Sequence, residues 1–259
     1  AQQMVRALTS PFGSGGVKLR QTSLFGNDPK GGSFMRSLVH IEARDLTFTD
    51  EPDGWHKSVF DILAVTFGDN GGIVDEVSRT HTVRIRGETY KRVLDNGLVF
   101  TLTVPIKKPG AYQLRTALRD VASERVGSAS QFIEVPNISK NRLTLSGIII
   151  NGSDPAAKPG ASANKDNESS TAAAPGAEAK KSEEASDSDP QAGPAVRRLR
   201  RGMVLGYAYV VYNATIDKAS ARPRIQIQMR LFRDGKEVFT GQVRPVDTID
   251  PPDLKRLTA

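Results

Sequence analysis

An antiparallel β-sandwich is the fold this sequence predicts, and three observations predict it. Seven segments between residues 17 and 135 place apolar and polar side chains with the period of a strand. Turn chemistry separates them: Asp69-Asn70-Gly71-Gly72, Asn96-Gly97 and Pro109-Gly110. No long helical pattern interrupts the series, and so many short strands in about 120 residues read as two packed sheets.

Each element has its own reason. Residues 1–16 read as a tail with a short helix, because Met4, Val5 and Leu8 fall on one face before Pro11 stops it. The strands follow at about 17–25, 34–43, 58–67, 73–85, 98–106, 111–119 and 128–135. In the second of these Leu38, Val39 and Ile41 supply the apolar positions. Asn70-Gly71 and Asn96-Gly97 tolerate the positive φ of a tight hairpin. Pro109 presets one dihedral and Gly110 frees the next, as a type II turn needs.

Gly110-Ala111-Tyr112-Gln113-Leu114 carries the Gly-x-Tyr-x-apolar spacing of a tyrosine corner. In that motif a Tyr near the start of a strand bonds back to upstream backbone, which makes Gly110 and Tyr112 structural candidates; a half-buried strand aromatic is the alternative. The corner narrows the fold to an immunoglobulin/fibronectin-III-like sandwich over residues 17–137. Leu114 occupies the place of the second antibody cysteine, and the chain has no cysteine at all. Core packing alone must hold the sheets together.

Residues 152–195 contain no Leu, Ile, Val, Phe, Met, Tyr or Trp. Such a stretch cannot bury enough surface to offset its ordering entropy, so disorder is expected. Strand patterns resume at 203–214 and 224–232, and Asp234-Gly235 marks a hairpin. The halves share a pattern: 58–77 parallels 224–241, 34–46 parallels 203–216, and 17–28 loosely parallels 142–154. The expectation is one complete sandwich and a truncated copy over 141–259, with 152–195 as an overgrown loop inside it. The copy lacks counterparts of residues 98–135 and should leave part of its core exposed.

The net charge of +7 raises the question of nucleic acid. The basic residues mostly alternate with apolar ones, as in Val83-Arg84-Ile85-Arg86, which places them on a solvated sheet face. Aromatic stacking platforms are missing as well, so nucleic-acid binding is not expected. No apolar run approaches the roughly 20 residues of a membrane span, so neither is membrane insertion. The start Ala1-Gln2-Gln3 has no signal-peptide pattern and reads as a piece excised from a longer protein.

Catalytic constellations do not emerge. His40, His56 and His81 lack zinc-site spacing. Thr49-Asp50-Glu51-Pro52-Asp53-Gly54 could offer oxygens to calcium but lacks EF-hand spacing, so a solvated turn is favoured. No Gly-x-Ser-x-Gly elbow occurs, Gly13-Ser14-Gly15-Gly16 has no following Lys-Ser/Thr, and Asp75-Glu76 point to opposite faces of a strand. The reading is a non-enzymatic chain without cofactor or metal. One ligand-contact loop is a candidate: Asp53, Trp55 and His56, where the single tryptophan is an exposed recognition aromatic or, the favoured reading, a cap on the core.

Three runs carry a resemblance: Ala111-Tyr112-Gln113-Leu114-Arg115 through Arg119-Asp120, Val126-Gly127-Ser128-Ala129-Ser130-Gln131-Phe132-Ile133-Glu134-Val135-Pro136, and Leu143-Thr144-Leu145-Ser146-Gly147-Ile148. With Ser10-Pro11-Phe12 and Arg201-Gly202-Met203, the chain outside the linker resembles the region that follows the A domain in VWFA-related (von Willebrand factor type A-related) proteins of Acidobacteria. The resemblance implies an exported protein, periplasmic, cell-surface or extracellular. It implies a protein partner or an upstream A-type domain, often with a metal-dependent adhesion site, in the same chain. The Asp-x-Ser-x-Ser ligand motif of that domain is not in this sequence. The nearest run, Asp187-Ser188-Asp189, lies in the linker, so no metal ligand carries over. A structural and interaction module that presents an adhesion-type domain is the expected function; the alternative is a carbohydrate-binding or hydrolase-accessory module with a glycan partner.

Overall fold

Alternation along the strands decides which faces meet. A computed structural model describes residues 2–10, 12–155, 190–220, 222–246 and 256–258. Its first half comprises α1 (Gln2–Thr9), β1 (Leu19–Asp28), β2 (Gly32–Ile41), β3 (Thr49–Glu51), β4 (Trp55–Phe67), β5 (Ile73–Arg86), α2 (Gly87–Asn96), β6 (Leu98–Pro105), β7 (Gly110–Asp120) and β8 (Val126–Val135). One sheet has the order β1-β2-β6. The other runs β5-β4-β7-β8, with β3 added at the start of β4. Every pairing is antiparallel. Two such sheets packed face to face are an immunoglobulin/fibronectin-III-type β-sandwich.

Side chains of one parity from each sheet fill the space between. Met35, Val39 and Ile41 on β2 meet Phe60 and Ile62 on β4 and Leu114 and Leu118 on β7, all at most 1% exposed. Burying a side chain of this size contributes about 1.5–3 kcal/mol. The opposite face of β4 and β7 is covered too. Leu63, Val65 and Ala117 pack under Met4 and Leu8 of α1. Strands buried on both faces read as continuous apolar runs, which explains Ile62 to Val65. The covering residues of α1 are four apart, one turn of helix; Val5, expected on the same face, is 50% exposed.

Two short elements were not foreseen from the sequence. β3 has three residues and no alternation to detect. α2 occupies 87–96, where the sequence suggested a simple turn between strands. It is closed by Gly97 at φ 78°, whose N–H donates to Val93 O at 2.8 Å.

The second half forms smaller sheets. Its strands are β9 (Thr144–Leu145), β10 (Ile149–Ser153), β11 (Val204–Ala208), β12 (Val210–Tyr212), β13 (Gln226–Ile227), β14 (Arg230–Arg233), β15 (Lys236–Thr240), β16 (Arg244–Pro245) and β17 (Arg256–Thr258). Among the described residues the largest sheet here is β17-β12-β9; the others are pairs, β10-β11, β13-β16 and β14-β15.

β12 joins the halves, and alternation is again the means. Val211 faces a small cluster with Ala214 and Leu257. Its neighbour Tyr212 turns the other way, into the core of the first sandwich, edge-on to Phe25 at 5.9 Å. The Tyr212 Oη accepts from Asn27 N at 3.0 Å, and Gly147 N donates to Phe25 O at 2.8 Å. A Cβ on Gly147 would stand 2.8 Å from Leu24 Cβ, so only glycine fits this approach.

The segment 152–195, set aside by composition as unfolded, has structure at both ends. Gly152 and Ser153 pair with Leu205 and Val204. Ala192 and Ala195 are buried, because small side chains can close against the backbone where larger ones would not fit. Residues 156–189 lie outside the described residues.

Candidate functional site

The Asp53–Trp55–His56 region is built by the β3–β4 hairpin. Asp53 at φ 60° and Gly54 at φ 71° make the reversal, with the exposed Asp53 at its tip. The register then sets Trp55 opposite both Glu51 and Arg86. Guanidinium carbons of Arg84 and Arg86 lie 4.6 and 4.8 Å from the Trp55 ring centroid, within cation–π range. Glu51 accepts from Arg84 Nε at 2.6 Å and faces Lys57 Nζ at 3.9 Å. Trp55 is half-buried in this charged outer face, neither a core cap nor a bare platform.

His56 is one residue on, so its side chain leaves the strand on the other side. Its ring stacks on Tyr90 of α2 at 3.7 Å and 16°, and Tyr90 meets Phe48 edge-on at 5.2 Å. His56 Nδ1 lies 2.7 Å from Asp50 Oδ1. Adjacency in sequence thus separates Trp55 and His56 in space. The structure does not bring Asp53, Trp55 and His56 together around one ligand. Tyr90, Arg84, Arg86 and Glu51 are the neighbours that sequence reasoning missed. Only the pairing register could have found the last three, and α2 the first.

Tyr112 donates from Oη to Lys108 O at 2.6 Å, while Gly110 takes φ +150° just upstream. Burial, with help from Asp69, pushes the Tyr112 phenol above its usual range. This back-bond locks the turn that leads β6 into β7.

Four further titratable groups of the sandwich have structural partners. His40 Nε2 lies 2.7 Å from Asn96 O, beneath the end of α2. His81 sits against Phe100 at 4.8 Å and Phe60 at 5.7 Å. Burial first, and Arg79 second, hold its pKa below the usual imidazole value. Burial pushes the Asp120 carboxyl up, but hydrogen bonds from Ser123 and Thr47 outweigh it and hold Asp120 low. Asp61 follows the same logic, with Arg119 Nη2 at 2.8 Å and Thr80 Oγ1 at 2.7 Å. Among the described residues no group of three His, Asp or Glu could hold a metal ion, and no helix is long and apolar enough to cross a membrane.

A cluster of exposed apolar residues lies in the second half. β14 and β15 form a hairpin around Asp234 (φ 49°) and Gly235 (φ 76°), the positive pair a two-residue turn requires. Every residue of both strands is exposed. Leu231, Phe232, Val238 and Phe239 range from 43 to 62% exposed.

No family model matches this chain, and no curated protein does. Solved structures of Bacteroides uniformis β-glucuronidase are similar in part. The crystal structure of the enzyme gives a TM-score of 0.29 at 11% identity, over 45% of this chain and 13% of that one. A calcium-binding mutant of β-glucuronidase 2 gives 0.29 at 10% identity, over 49% and 13%. The same enzyme bound covalently to cyclophellitol-6-carboxylate aziridine gives 0.28 at 10%, over 45% and 13%. The chain thus spans 13% of the length of these glucuronidases, and at that level the likeness says nothing of its activity.

Proposed function

We propose that this chain is a non-enzymatic structural and interaction module of an exported, VWFA-related protein, one that supports an adhesion-type domain and docks a protein partner. The observation that carries the reading is the β14–β15 hairpin. Its two large aromatics, Phe232 and Phe239, are 62 and 50% exposed on strands that no other described strand covers. The register sets Phe239 beside Leu231 on one face and Phe232 on the other, so the hairpin exposes apolar surface on both sides, and exposed apolar surface of this kind marks where a protein partner packs. The charged residues around them are of both signs, Arg230, Arg233 and Lys236 with Asp234 and Glu237, a mixed polar rim of the kind that surrounds protein-docking surfaces. In the repeat reading this hairpin is one layer of a sandwich, and the partner supplies the layer that packs on it.

The glycan alternative has less support. A sugar-stacking site needs an open aromatic face, and two guanidinium groups already lie within cation–π range of Trp55 while His56 is stacked on Tyr90.

The test compares the chain with a Phe232→Asp/Phe239→Asp variant against fractionated cell envelope. The expected result is one defined protein retained by the parent and lost by the variant, with the circular dichroism of the sandwich unchanged. Identical retention by both contradicts the reading. A signal on a glycan array that Trp55→Ala abolishes would replace it with the carbohydrate-binding one.

A further inference from the structure

The 14-residue β5 is the longest described strand and lies at the edge of its sheet. Among the described residues β4 is its sole strand neighbour. Two other edges of the same sandwich are taken. Along β8, Gly16 N donates to Val126 O and Ser128 N donates to Ser14 O. Along β1, Gly147 and Tyr212 bond to Phe25 and Asn27. β5 instead offers a row of outward backbone donors and acceptors more than twice as long as an ordinary strand. Such an edge is a template for pairing with another strand. β6 is open as well, but it carries no charge and so gives no preference for orientation.

β5 does give one. Its acidic residues, Asp75 and Glu76, stand near the start, and its basic ones, Arg79, Arg84 and Arg86, stand from the middle to the end. A parallel copy in register would set Glu76 beside Glu76 and Arg84 beside Arg84. An antiparallel copy sets the acidic end against the basic end. We propose that two copies of this chain pair edge to edge through antiparallel β5 strands, joining their five-stranded sheets across a twofold axis. A twofold pairing is closed and self-complementary, so it ends at the dimer.

The register follows from the side chains. A twofold axis through the sheet keeps opposed residues on the same face, so the two numbers of each pair have the same parity. Centring the axis on Thr80 opposes Glu76 to Arg84, Val77 to Val83 and Ser78 to Thr82. Arg79 then meets His81, a histidine packed against Phe60 and Phe100. No acidic pair and no arginine pair face each other. Centring on Arg79 would put two guanidinium groups across the axis.

The absence of cysteine makes the test direct. Opposed Cα atoms in an antiparallel pair stand about 4.5–5.5 Å apart, inside the range a disulfide bridges. Under mild oxidation the full chain carrying Thr80→Cys should give a reducible covalent dimer. Thr82→Cys should not, because the two copies of residue 82 would lie four residues apart along the ladder, about 13 Å. In sedimentation the parent chain should approach twice its 28.0 kDa mass as concentration rises. Glu76→Lys, at an exposed position, should raise the dissociation constant roughly tenfold by replacing two attractive pairs with two repulsive ones. A parent chain that stays at 28.0 kDa at about millimolar concentration would overturn the proposal. So would equal cross-linking through residues 80 and 82, or a dimer indifferent to Glu76→Lys. The Phe232→Asp/Phe239→Asp variant lies on another surface and should dimerise like the parent, which separates this outcome from the partner-docking reading.

Discussion

β4 and β14 start from similar local chemistry and end differently. Both carry adjacent apolar side chains, Ile62 to Val65 in one and Leu231-Phe232 in the other, both lead into a turn rich in Asp and Gly, and both pair with the strand that follows. β4 is covered on both faces, by β2 and its sheet on one side and by α1 on the other. β14 is covered on neither. Apolar strand residues and turn chemistry are sufficient to make a hairpin. A core needs a second layer, and only long-range packing supplies one. The stability of the molecule should therefore be concentrated in residues 17–136, although apolar residues are spread over both halves.

Matched substitutions sharpen that contrast most. Phe60→Ala empties a fully buried site between the sheets and should cost about 3–5 kcal/mol in urea unfolding. Phe232→Ala removes an exposed ring of the same kind and should stay within about 0.5 kcal/mol. Comparable losses would break the comparison. Gly147→Ala acts where the halves meet. Its Cβ would press on Leu24, so a cost of about 1–3 kcal/mol is expected, with loosening of β9 and β12 before the sandwich itself.

Tyr112→Phe deletes the bond to Lys108 O and leaves the ring in place. It should cost about 1 kcal/mol by thermal unfolding, with the fold unchanged. The smallest effect is a pH dependence. His81 binds its proton less readily in the folded chain than in the unfolded one, because burial and Arg79 disfavour the charged ring. The unfolded chain therefore takes up more protons just below its ordinary pKa of 6.5. Stability should be full above that pH and decline below it, and His81→Leu should flatten this part of the curve. Stability rising on acidification through the same window would contradict the placement of His81.

Much of the sandwich was legible in the sequence because period-two alternation and turn residues are local signals. The seven expected strands correspond to β1, β2 and β4–β8 with ends shifted by a few residues. α2 was not legible: its ten residues begin at a positive-φ Gly87 and offer too few turns for a helical period to stand out. The candidate site was less legible than the fold. Asp53, Trp55 and His56 look like one loop when read along the chain, yet Trp55 and His56 project to opposite faces. What surrounds each of them depends on register with β5 and on α2, and neither is written in the loop itself. The role of Tyr212 was hidden for the same reason. Nothing in Val210-Val211-Tyr212 says which face meets the first sandwich until β9 and β17 fix the strand on both sides.

Residue-resolved amide exchange on the intact chain tests the central contrast most directly. Backbone amides of β4 and β7 should exchange only through global unfolding, whereas those of β14 and β15 should exchange through local opening, several orders of magnitude faster. Equal protection across both hairpins would contradict the account, since it would require a cover over β14 and β15 equivalent to the one that α1 and β2 place over β4.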